Sequence, residues 1–314
     1  MRVAAAVQKP KALHQGSRIA TIAPASPARD ERIAAGRKEL SRMGFAALDF
    51  SPLDSEGYFA GSAGERRQQF LNALQDPDAD ALIATRGGFG SVYLLEEGLP
   101  ATLPAIKPLV GFSDLTTLQI YLWQRHRWGG FYGPMLAAGL DHGAGDPGGY
   151  DEPSFRNALT RTAGGWTIAL QAEALIGGRA EGVLIGGAMT LLEATIGTPW
   201  EIDTDGAILL LEDRAMKPYQ IDRVLMHLKH AEKLANVRGI VLGDFPDCGP
   251  PVAGGPTVRD VCARIFSALG IPIVYGAPIG HTTRSMLTIP LGVRARLIAQ
   301  DGGALEILEP AVVQ

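Results

Sequence analysis

Short apolar runs alternate with amphipathic stretches along the first part of the chain. Buried strands are predicted at 18–23, 46–50, 80–85 and 108–112, where apolar residues predominate. Turns rich in glycine, proline or serine follow, and helical patterns such as 115–125 come next. Ser26, with Pro27 after it, is predicted to cap the first helix, and Ser62 with Glu65 has the capping-box spacing that opens the second. Strands and helices that alternate at this spacing are typical of βαβ units. The sequence therefore predicts an α/β protein whose N-terminal part is a parallel sheet with flanking helices.

The pattern restarts after a glycine-rich stretch. Residues 139–151 read Gly-Leu-Asp-His-Gly-Ala-Gly-Asp-Pro-Gly-Gly-Tyr-Asp and are the best candidate for a linker. From Gly182 an apolar run, a strand at 207–211 and an amphipathic helix at 218–234 follow. These elements predict a second domain of mixed α/β structure. The predicted division is an N-terminal domain at 1–140, a linker at 141–181 and a C-terminal domain at 182–314.

Composition and charge exclude several classes of protein. The 314 residues are 46% hydrophobic and 20% charged, as in a globular protein of one large or two medium domains. A net charge of −4 argues against a nucleic-acid partner. Two cysteines are too few for a disulfide framework, and no apolar run approaches the ~18 residues that a membrane span needs. We therefore expect a soluble, cytoplasmic protein with no membrane partner.

Ser113 lies at the break between the strand predicted at 108–112 and the helical pattern that begins at Leu115. A turn of this kind projects the serine side chain from the sheet edge and places N–H groups of the helix N-terminus beside it. Those N–H groups can bind a developing oxyanion. Ser113 is therefore a candidate nucleophile, in surroundings that do not match the G-x-S-x-G elbow of α/β-hydrolases.

A serine nucleophile needs a base, commonly histidine, and a carboxylate that orients the base. His281 follows the strand predicted at 273–275, in a loop of glycine and proline where catalysis or a structural hydrogen bond would explain it. Glu212 ends an apolar strand, where its charge needs a partner unless it reaches solvent. His227 and His230 are half of a metal site or part of a solvated helix face. His281 and Glu212 are the stronger candidates for the pair.

The segment Arg86-Gly87-Gly88-Phe89-Gly90 follows the third predicted strand. It matches neither the dinucleotide fingerprint nor the phosphate loop with its lysine. It could lend an oxyanion N–H group or bind a substrate carboxylate through Arg86. Because the carboxyl ends of parallel strands meet at one edge, this segment should lie near Ser113.

Taken in order, these features resemble the LD-carboxypeptidase family of serine peptidases, which includes cytoplasmic muramoyltetrapeptide carboxypeptidases and microcin C immunity peptidases. The similarity extends from about Ile19 to Arg296. The motifs that carry it are Ile22-Ala-Pro-Ala-Ser-Pro27, Tyr58-Phe-Ala-Gly61 with Glu65-Arg66, Thr85-Arg-Gly-Gly-Phe-Gly90, Gly111-Phe-Ser-Asp-Leu-Thr116, Gly186-Gly187 with Gly197-Thr-Pro199, Leu211-Glu-Asp213, Tyr219-Gln-Ile-Asp-Arg223 and Gly280-His281.

The resemblance implies a two-domain serine peptidase that works without metal or cofactor, as a homodimer. Its catalytic serine, glutamate and histidine fall on Ser113, Glu212 and His281. The implied oxyanion hole uses the backbone N–H groups of Asp114 and Gly88, and the implied pocket is lined by Arg86 and the Ser26 loop. Because Ser113 comes from one half of the chain and its partners from the other, Ser113 should face a cleft between them.

The sequence departs from the family pattern at two places. Many relatives show His-Gly-Pro where this chain has Tyr132-Gly133-Pro134, and Gly-Gly-Asn-Leu where it has Gly186-Gly187-Ala188-Met189. Neither Tyr132 nor Ala188 belongs to the implied triad. Both are expected near the cleft, so they bear on substrate choice.

The function expected from these features is hydrolysis of an L,D-peptide bond that releases the terminal D-alanine of a cytoplasmic cell-wall tetrapeptide. One alternative within the family is an amide hydrolase that inactivates peptidyl-nucleotide antibiotics. A second alternative is a ligand-binding protein without catalysis. A third is a nucleotide-dependent enzyme that uses the loop at 87–90, which lacks the phosphate-loop lysine.

Overall fold

The computed structural model describes residues 7–50, 53–96 and 98–314. Its strands are β1 (Arg18–Ile22), β2 (Ala46–Asp49), β3 (Ala81–Ala84), β4 (Leu109–Gly111), β5 (Phe131–Tyr132), β6 (Trp166–Ile176), β7 (Gly178–Ala188), β8 (Ala207–Glu212), β9 (Gly239–Gly243), β10 (Ile273–Ala277), β11 (Ile289–Pro290), β12 (Arg294–Ala299) and β13 (Gly302–Ile307). Its α-helices are α1 (Asp30–Arg42), α2 (Ala63–Gln75), α3 (Leu115–His126), α4 (Glu152–Thr160), α5 (Met189–Ala194), α6 (Pro218–His230) and α7 (Val258–Phe266). Short 3-10 helices occupy Ser91–Leu95 and Leu140–His142.

The N-terminal sheet has the strand order β11-β5-β4-β3-β1-β2 in the described part of the chain. Its first five strands in sequence pair in parallel, which confirms the predicted parallel sheet. Strand β3 is fully buried, as expected for a strand covered on both faces. Because these strands run in one direction, the loops after β1, β3 and β4 meet at one edge.

The remaining strands close into a barrel in the order β10-β6-β13-β12-β7-β8-β9. Strands β7, β8, β9 and β10 pair in parallel, and the other pairs are antiparallel. The C-terminal part is thus mixed, which confirms the predicted α/β class. The loops after β8 and β10 share the carboxyl edge of the parallel strands.

The range 141–181, predicted to be a linker, contains regular structure. Helix α4 lies in it, and β6 pairs with both β10 and β13 inside the barrel. Conversely, β11 comes from the predicted C-terminal domain but pairs with β5 in the N-terminal sheet, with Ile289 opposite Tyr132. The domain boundaries stay a prediction. The strand pairing shows that the C-terminal part of the chain contributes a strand to the N-terminal sheet.

One apolar cluster continues from the N-terminal sheet into the barrel. It includes Ile19 of β1, Val110 of β4 and Leu297 of β12, all 1% exposed or less. Removal of this apolar surface from water is the main force that holds the two sheets together. No helix in the described ranges is long and apolar enough to cross a membrane.

Two predicted helix starts had different outcomes. Ser62 caps α2 through a capping box with Glu65, as its sequence spacing predicts. The prediction that Ser26 caps the first helix is wrong, because α1 begins at Asp30 after Arg29. The Ser26 hydroxyl instead accepts a hydrogen bond from the N–H of Phe89, 3.2 Å away.

Candidate active site

Ser113 occupies a sharp turn between β4 and α3. Its φ of 62° lies in the left-handed region, which costs a residue with a side chain about 1–3 kcal/mol. The Ser113 carbonyl oxygen accepts a hydrogen bond of 2.9 Å from the N–H of Thr116, which fixes the turn at the helix start. The strained turn brings a half-buried serine hydroxyl to the carboxyl edge of the sheet.

The loop after β3 packs directly against this turn. A Cβ on Gly87 would lie 2.9 Å from the Cβ of Ser113 and 3.4 Å from the Asp114 nitrogen, so only glycine permits this approach without displacement. Gly88 has a φ of 107°, and a Cβ there would lie 2.4 Å from the Ser26 hydroxyl oxygen. Gly87 is thus a close neighbour of Ser113 and Asp114, and Gly88 lines the same cleft, where its N–H and that of Asp114 could meet an oxyanion.

Glu212 and His281 form a hydrogen-bonded pair at the carboxyl edge of the barrel strands. Glu212 is the last residue of β8 and is fully buried. Its Oε2 accepts one hydrogen bond from the backbone N–H of His281 and another from Nδ1 of the ring, each 2.9 Å long. Since an ionised carboxylate only accepts, Nδ1 carries the hydrogen, and Nε2 is left as the basic nitrogen.

The backbone around His281 is shaped for this contact. Gly280 has a φ of 58°, and a Cβ there would lie 2.4 Å from the carboxyl carbon of Glu212. The His281 ring packs edge-on against Phe112, with ring centroids 5.1 Å apart. Phe112 precedes the candidate nucleophile, so the ring bridges the two halves of the site. Only 14% of the His281 side chain is exposed.

A cleft of about 490 Å³ lies between the two sheets at their carboxyl edges. Ser113 from the N-terminal half of the chain and His281 from the C-terminal half both line it, as expected from the sequence. Asp114, Gly88 and Arg86 also line it, whereas Ser26 is not among its lining residues. A substrate contact by Ser26 therefore stays a prediction, and the contact the structure gives its hydroxyl is the one that holds the Phe89 amide.

Further lining residues were not predicted from the sequence. Arg32, Thr190, Asp213 and Arg214 all face the same cleft. Asp213 and Arg214 directly follow β8, so the rule that sites form at strand ends could have indicated them. Arg32 lies inside α1, where the sequence gives no signal that distinguishes it from other surface arginines.

Buried charges stabilise the loops around the site. Arg66 is 1% exposed and donates to the carbonyl oxygens of Gly61, Pro24 and Gly90, which joins the loops after β1 and β3. Burial lowers the pKa of Arg66, and the nearby Asp114 carboxylate opposes that shift. Burial raises the pKa of Asp114, opposed by hydrogen bonds from Ser91.

Asp213 is the other buried carboxyl group of the cleft. Burial raises its pKa, and the adjacent Glu212 charge raises it further. Its Oδ2 accepts hydrogen bonds from the N–H and the hydroxyl of Thr190, at 3.1 and 2.8 Å. These bonds fix the start of α5 against the end of β8.

No metal-ligand cluster lies in the part of the chain that the structure describes. Within the residues it describes, no group of three or more His, Cys, Asp or Glu side chains could hold a metal ion. His227, one of the two histidines on α6 considered as half of a metal site, contacts the Glu193 carboxylate through Nδ1 at 2.8 Å. The solvated face remains the simpler explanation of that pair.

Two family models match this fold and site. The LD-carboxypeptidase N-terminal domain matches residues 19–133, and the LD-carboxypeptidase C-terminal domain matches residues 181–297. The chain therefore belongs to the LD-carboxypeptidase family, a class of peptide-bond hydrolases.

Individual relatives support the assignment. A Bacillus subtilis (strain 168) protein named "Probable murein peptide carboxypeptidase" is 33% identical, with 92% of this chain and 91% of the relative covered. The murein tetrapeptide carboxypeptidase of Pseudomonas aeruginosa is 29% identical over 84% of this chain and 88% of its own. The crystal structure of muramoyltetrapeptide carboxypeptidase from Oxalobacter formigenes has a TM-score of 0.82 at 29% identity, covering 94% and 99% of the two chains.

Proposed function

We propose that this protein is a serine carboxypeptidase that hydrolyses the L,D-peptide bond of murein tetrapeptide and releases its terminal D-alanine. The observation that carries the proposal is the buried Glu212–His281 pair in the same cleft as Ser113. The names of the Pseudomonas and Oxalobacter relatives support the choice of substrate.

In the proposed mechanism, Nε2 of His281 takes the proton of the Ser113 hydroxyl while Oγ attacks the carbonyl carbon. Glu212 holds the Nδ1–H tautomer and stabilises the imidazolium that forms. The imidazolium then gives its proton to the leaving amine of D-alanine, and the peptide remains as an acyl ester on Ser113. A water molecule, deprotonated by His281, hydrolyses that ester and restores the serine.

The tetrahedral intermediate carries a negative oxygen that needs donors. The N–H groups of Asp114 and Gly88 are proposed for this role, because Gly87 brings the two loops into contact beside Ser113. Loss of one such donor costs about 2.7–4 kcal/mol of activation free energy in known cases. The positive dipole end of α3 adds to the stabilisation.

An exopeptidase must also recognise a free carboxylate. Arg86 is proposed to bind it, since a guanidinium can bind a carboxylate through two parallel hydrogen bonds. Arg86 lines the cleft and donates to the carbonyl oxygen of Pro27, 3.0 Å away, which holds its side chain over the loop. The Ser26 loop supports this wall of the cleft.

A cytoplasmic location and a homodimeric state complete the proposal, and both rest on the family resemblance. Size-exclusion chromatography with light scattering would test the second. A mass equal to one chain at micromolar concentration would contradict the homodimer.

Mass spectrometry of murein tetrapeptide incubated with the protein tests the activity. We expect loss of one alanine from the peptide with D-alanine at its end, and no loss from the variant ending in L-alanine. A peptidyl-nucleotide substrate, assayed alongside, would test the alternative activity, which a relative named "Microcin C7 self-immunity protein MccF", 28% identical over 87% of this chain, supports. Ser113→Ala that purifies folded and still cleaves tetrapeptide at the wild-type rate would disprove the mechanism.

A further inference from the structure

The second oxygen of the Glu212 carboxylate has its own donor. Oε2 faces His281, whereas Oε1 accepts a hydrogen bond of 2.5 Å from the hydroxyl of Tyr132. Tyr132 lies on β5 of the N-terminal sheet, and Glu212 lies on β8 of the barrel. Both residues are fully buried, so water does not compete for this bond.

The Tyr132 hydroxyl also contacts the nucleophile turn. Its oxygen accepts from the backbone N–H of Ser113 at 3.4 Å, and the hydroxyl of Thr116 lies near it. The Thr116 hydroxyl oxygen in turn accepts from the N–H of Ala188, 3.1 Å away. The two departures from the family pattern, Tyr132 and Ala188, thus both adjoin Thr116 in the buried region beside Glu212.

The packing around Tyr132 leaves little room for its side chain to move. A Cβ on Gly187 would lie 2.7 Å from the Thr116 hydroxyl oxygen and 3.0 Å from the Tyr132 ring. A Cβ on Gly133 would lie 2.7 Å from the Thr288 hydroxyl oxygen. The ring of Tyr132 is therefore packed closely against the backbone of Gly187 on β7, and the bond to Glu212 sets the direction of its hydroxyl.

The hydroxyl keeps its proton. Burial raises the pKa of Tyr132 well above its ordinary value, and the nearby Glu212 charge acts in the same direction. Tyr132 is therefore a permanent donor to Oε1 rather than a base.

We propose that Tyr132 is a positioning residue for the acid–base pair: its hydroxyl fixes Glu212 and withdraws part of the negative charge that Glu212 presents to His281. The inference rests on the proposed function, since it acts through the Glu212–His281 pair. It explains why a residue outside the triad is buried between Ser113 and Glu212.

The consequence is a pH dependence of catalysis. The groups that face Glu212 are His281 from the loop after β10, Tyr132 from β5 and Asp213 from its own strand end. Without the Tyr132 donor, the carboxylate presents more charge to His281 and stabilises the imidazolium, which cannot act as the base. The acidic limb of the kcat/KM profile then moves to higher pH.

The test is Tyr132→Phe, assayed for D-alanine release between pH 5 and 9. We expect kcat to fall about 10- to 100-fold, as for loss of a hydrogen bond to a charged group, with KM changed less than about threefold. The acidic limb should move upward by about half a pH unit or more. An unchanged limb together with an unchanged kcat would overturn the inference.

Tyr150→Phe is the matched control. Tyr150 is also fully buried, and its hydroxyl donates to a glutamate, Glu39, at 2.8 Å, but that glutamate pairs with Arg42 rather than with His281. Removal of the same atom there should lower the melting temperature and leave kcat and the acidic limb unchanged. If both variants shift the limb equally, the effect is structural and the inference is wrong.

A second substitution covers the case in which Tyr132→Phe does not fold. Incorporation of 3-fluorotyrosine at position 132 keeps the shape and makes the hydroxyl a stronger donor. The acidic limb should then move to lower pH, opposite to the shift in Tyr132→Phe. A limb identical to that of the unsubstituted protein would overturn the inference.

Glu212→Gln separates this inference from the proposed function. If Glu212→Gln keeps wild-type activity, the proposed triad fails and the inference fails with it. If Glu212→Gln loses activity while Tyr132→Phe retains both kcat and the pH profile, the triad stands and the inference alone is wrong.

Discussion

Two regions of the molecule build the site, and they are held in place by different means. The nucleophile turn, residues 111–115, keeps a strained backbone conformation between close glycine contacts. The acid–base pair, Glu212 with His281, is fixed by hydrogen bonds to both oxygens of a buried carboxylate. The turn therefore depends on steric fit, whereas the pair depends on charge that water cannot screen.

The difference predicts how each region fails. A steric site loses activity when a neighbouring atom displaces it, and the loss follows the size of that displacement. A buried charged pair loses activity when a donor or acceptor is removed, even if no atom moves. Substitutions that act on one region at a time can therefore test whether the two are independent or form one catalytic unit.

The largest expected effect comes from removal of the nucleophile or of the base. Ser113→Ala and His281→Ala should each lower kcat by about 10⁴-fold or more, and the double variant should lose little beyond either one. The reason is that the base has no function without the nucleophile. Single-turnover kinetics of D-alanine release would measure this, with the exposed His230→Ala as control. Losses that multiply in the double variant would mean that the regions act independently.

Glycine substitutions should give a smaller effect that differs between the regions. In Gly280→Ala a Cβ would collide with the Glu212 carboxyl group at a φ of 58°, so we expect kcat to fall about 10²-fold or more. In Gly87→Ala the added Cβ would lie 2.9 Å from the Cβ of Ser113, a milder overlap than the 2.4 Å contact at Gly280, and a loss of about tenfold is expected.

Gly270→Ala is the matched control for backbone strain. Its φ of 63° is close to that of Gly280, but a Cβ there has no atom within 4 Å. It should lower stability, measured by urea unfolding, and leave kcat unchanged. If Gly270→Ala impairs catalysis as strongly as Gly280→Ala, strain rather than contact with Glu212 explains the loss.

The sequence predicted the features that depend on strand order. Ser113 and His281 each closely follow a strand end, Glu212 is the last residue of its strand, and parallel topology brings such positions to one edge. The parallel N-terminal sheet and the mixed C-terminal part were predictable from periodicity for the same reason.

Features that depend on packing between the sheets could not be predicted. The bond from Tyr132 to Glu212 spans 80 positions and has no local signature. The pairing of β11 with β5 and the place of β6 in the barrel depend on contacts distant in sequence. The helix start at Ser26 was mispredicted because local capping propensity was outweighed by a tertiary bond to Phe89.

The smallest expected effect concerns recognition rather than chemistry. Three arginines line the cleft, namely Arg32, Arg86 and Arg214. Arg32 pairs with Asp141, and Arg214 pairs with Asp247. Among the residues that the structure describes, Arg86 is the one of the three with no carboxylate partner, so its guanidinium is free to bind the substrate carboxylate.

Arg86→Ala should therefore raise KM about tenfold and change kcat less than about threefold, because the interaction exists equally in the ground state and the transition state. A tetrapeptide with an amidated C-terminus makes the measurement specific. The wild-type protein should prefer the free acid over the amide, and the preference should disappear in Arg86→Ala. Arg214→Ala, which keeps Arg86, should retain it. If Arg86→Ala still distinguishes acid from amide, another cation of the cleft recognises the carboxylate. The loop after β3 would then take no part in binding the substrate carboxylate.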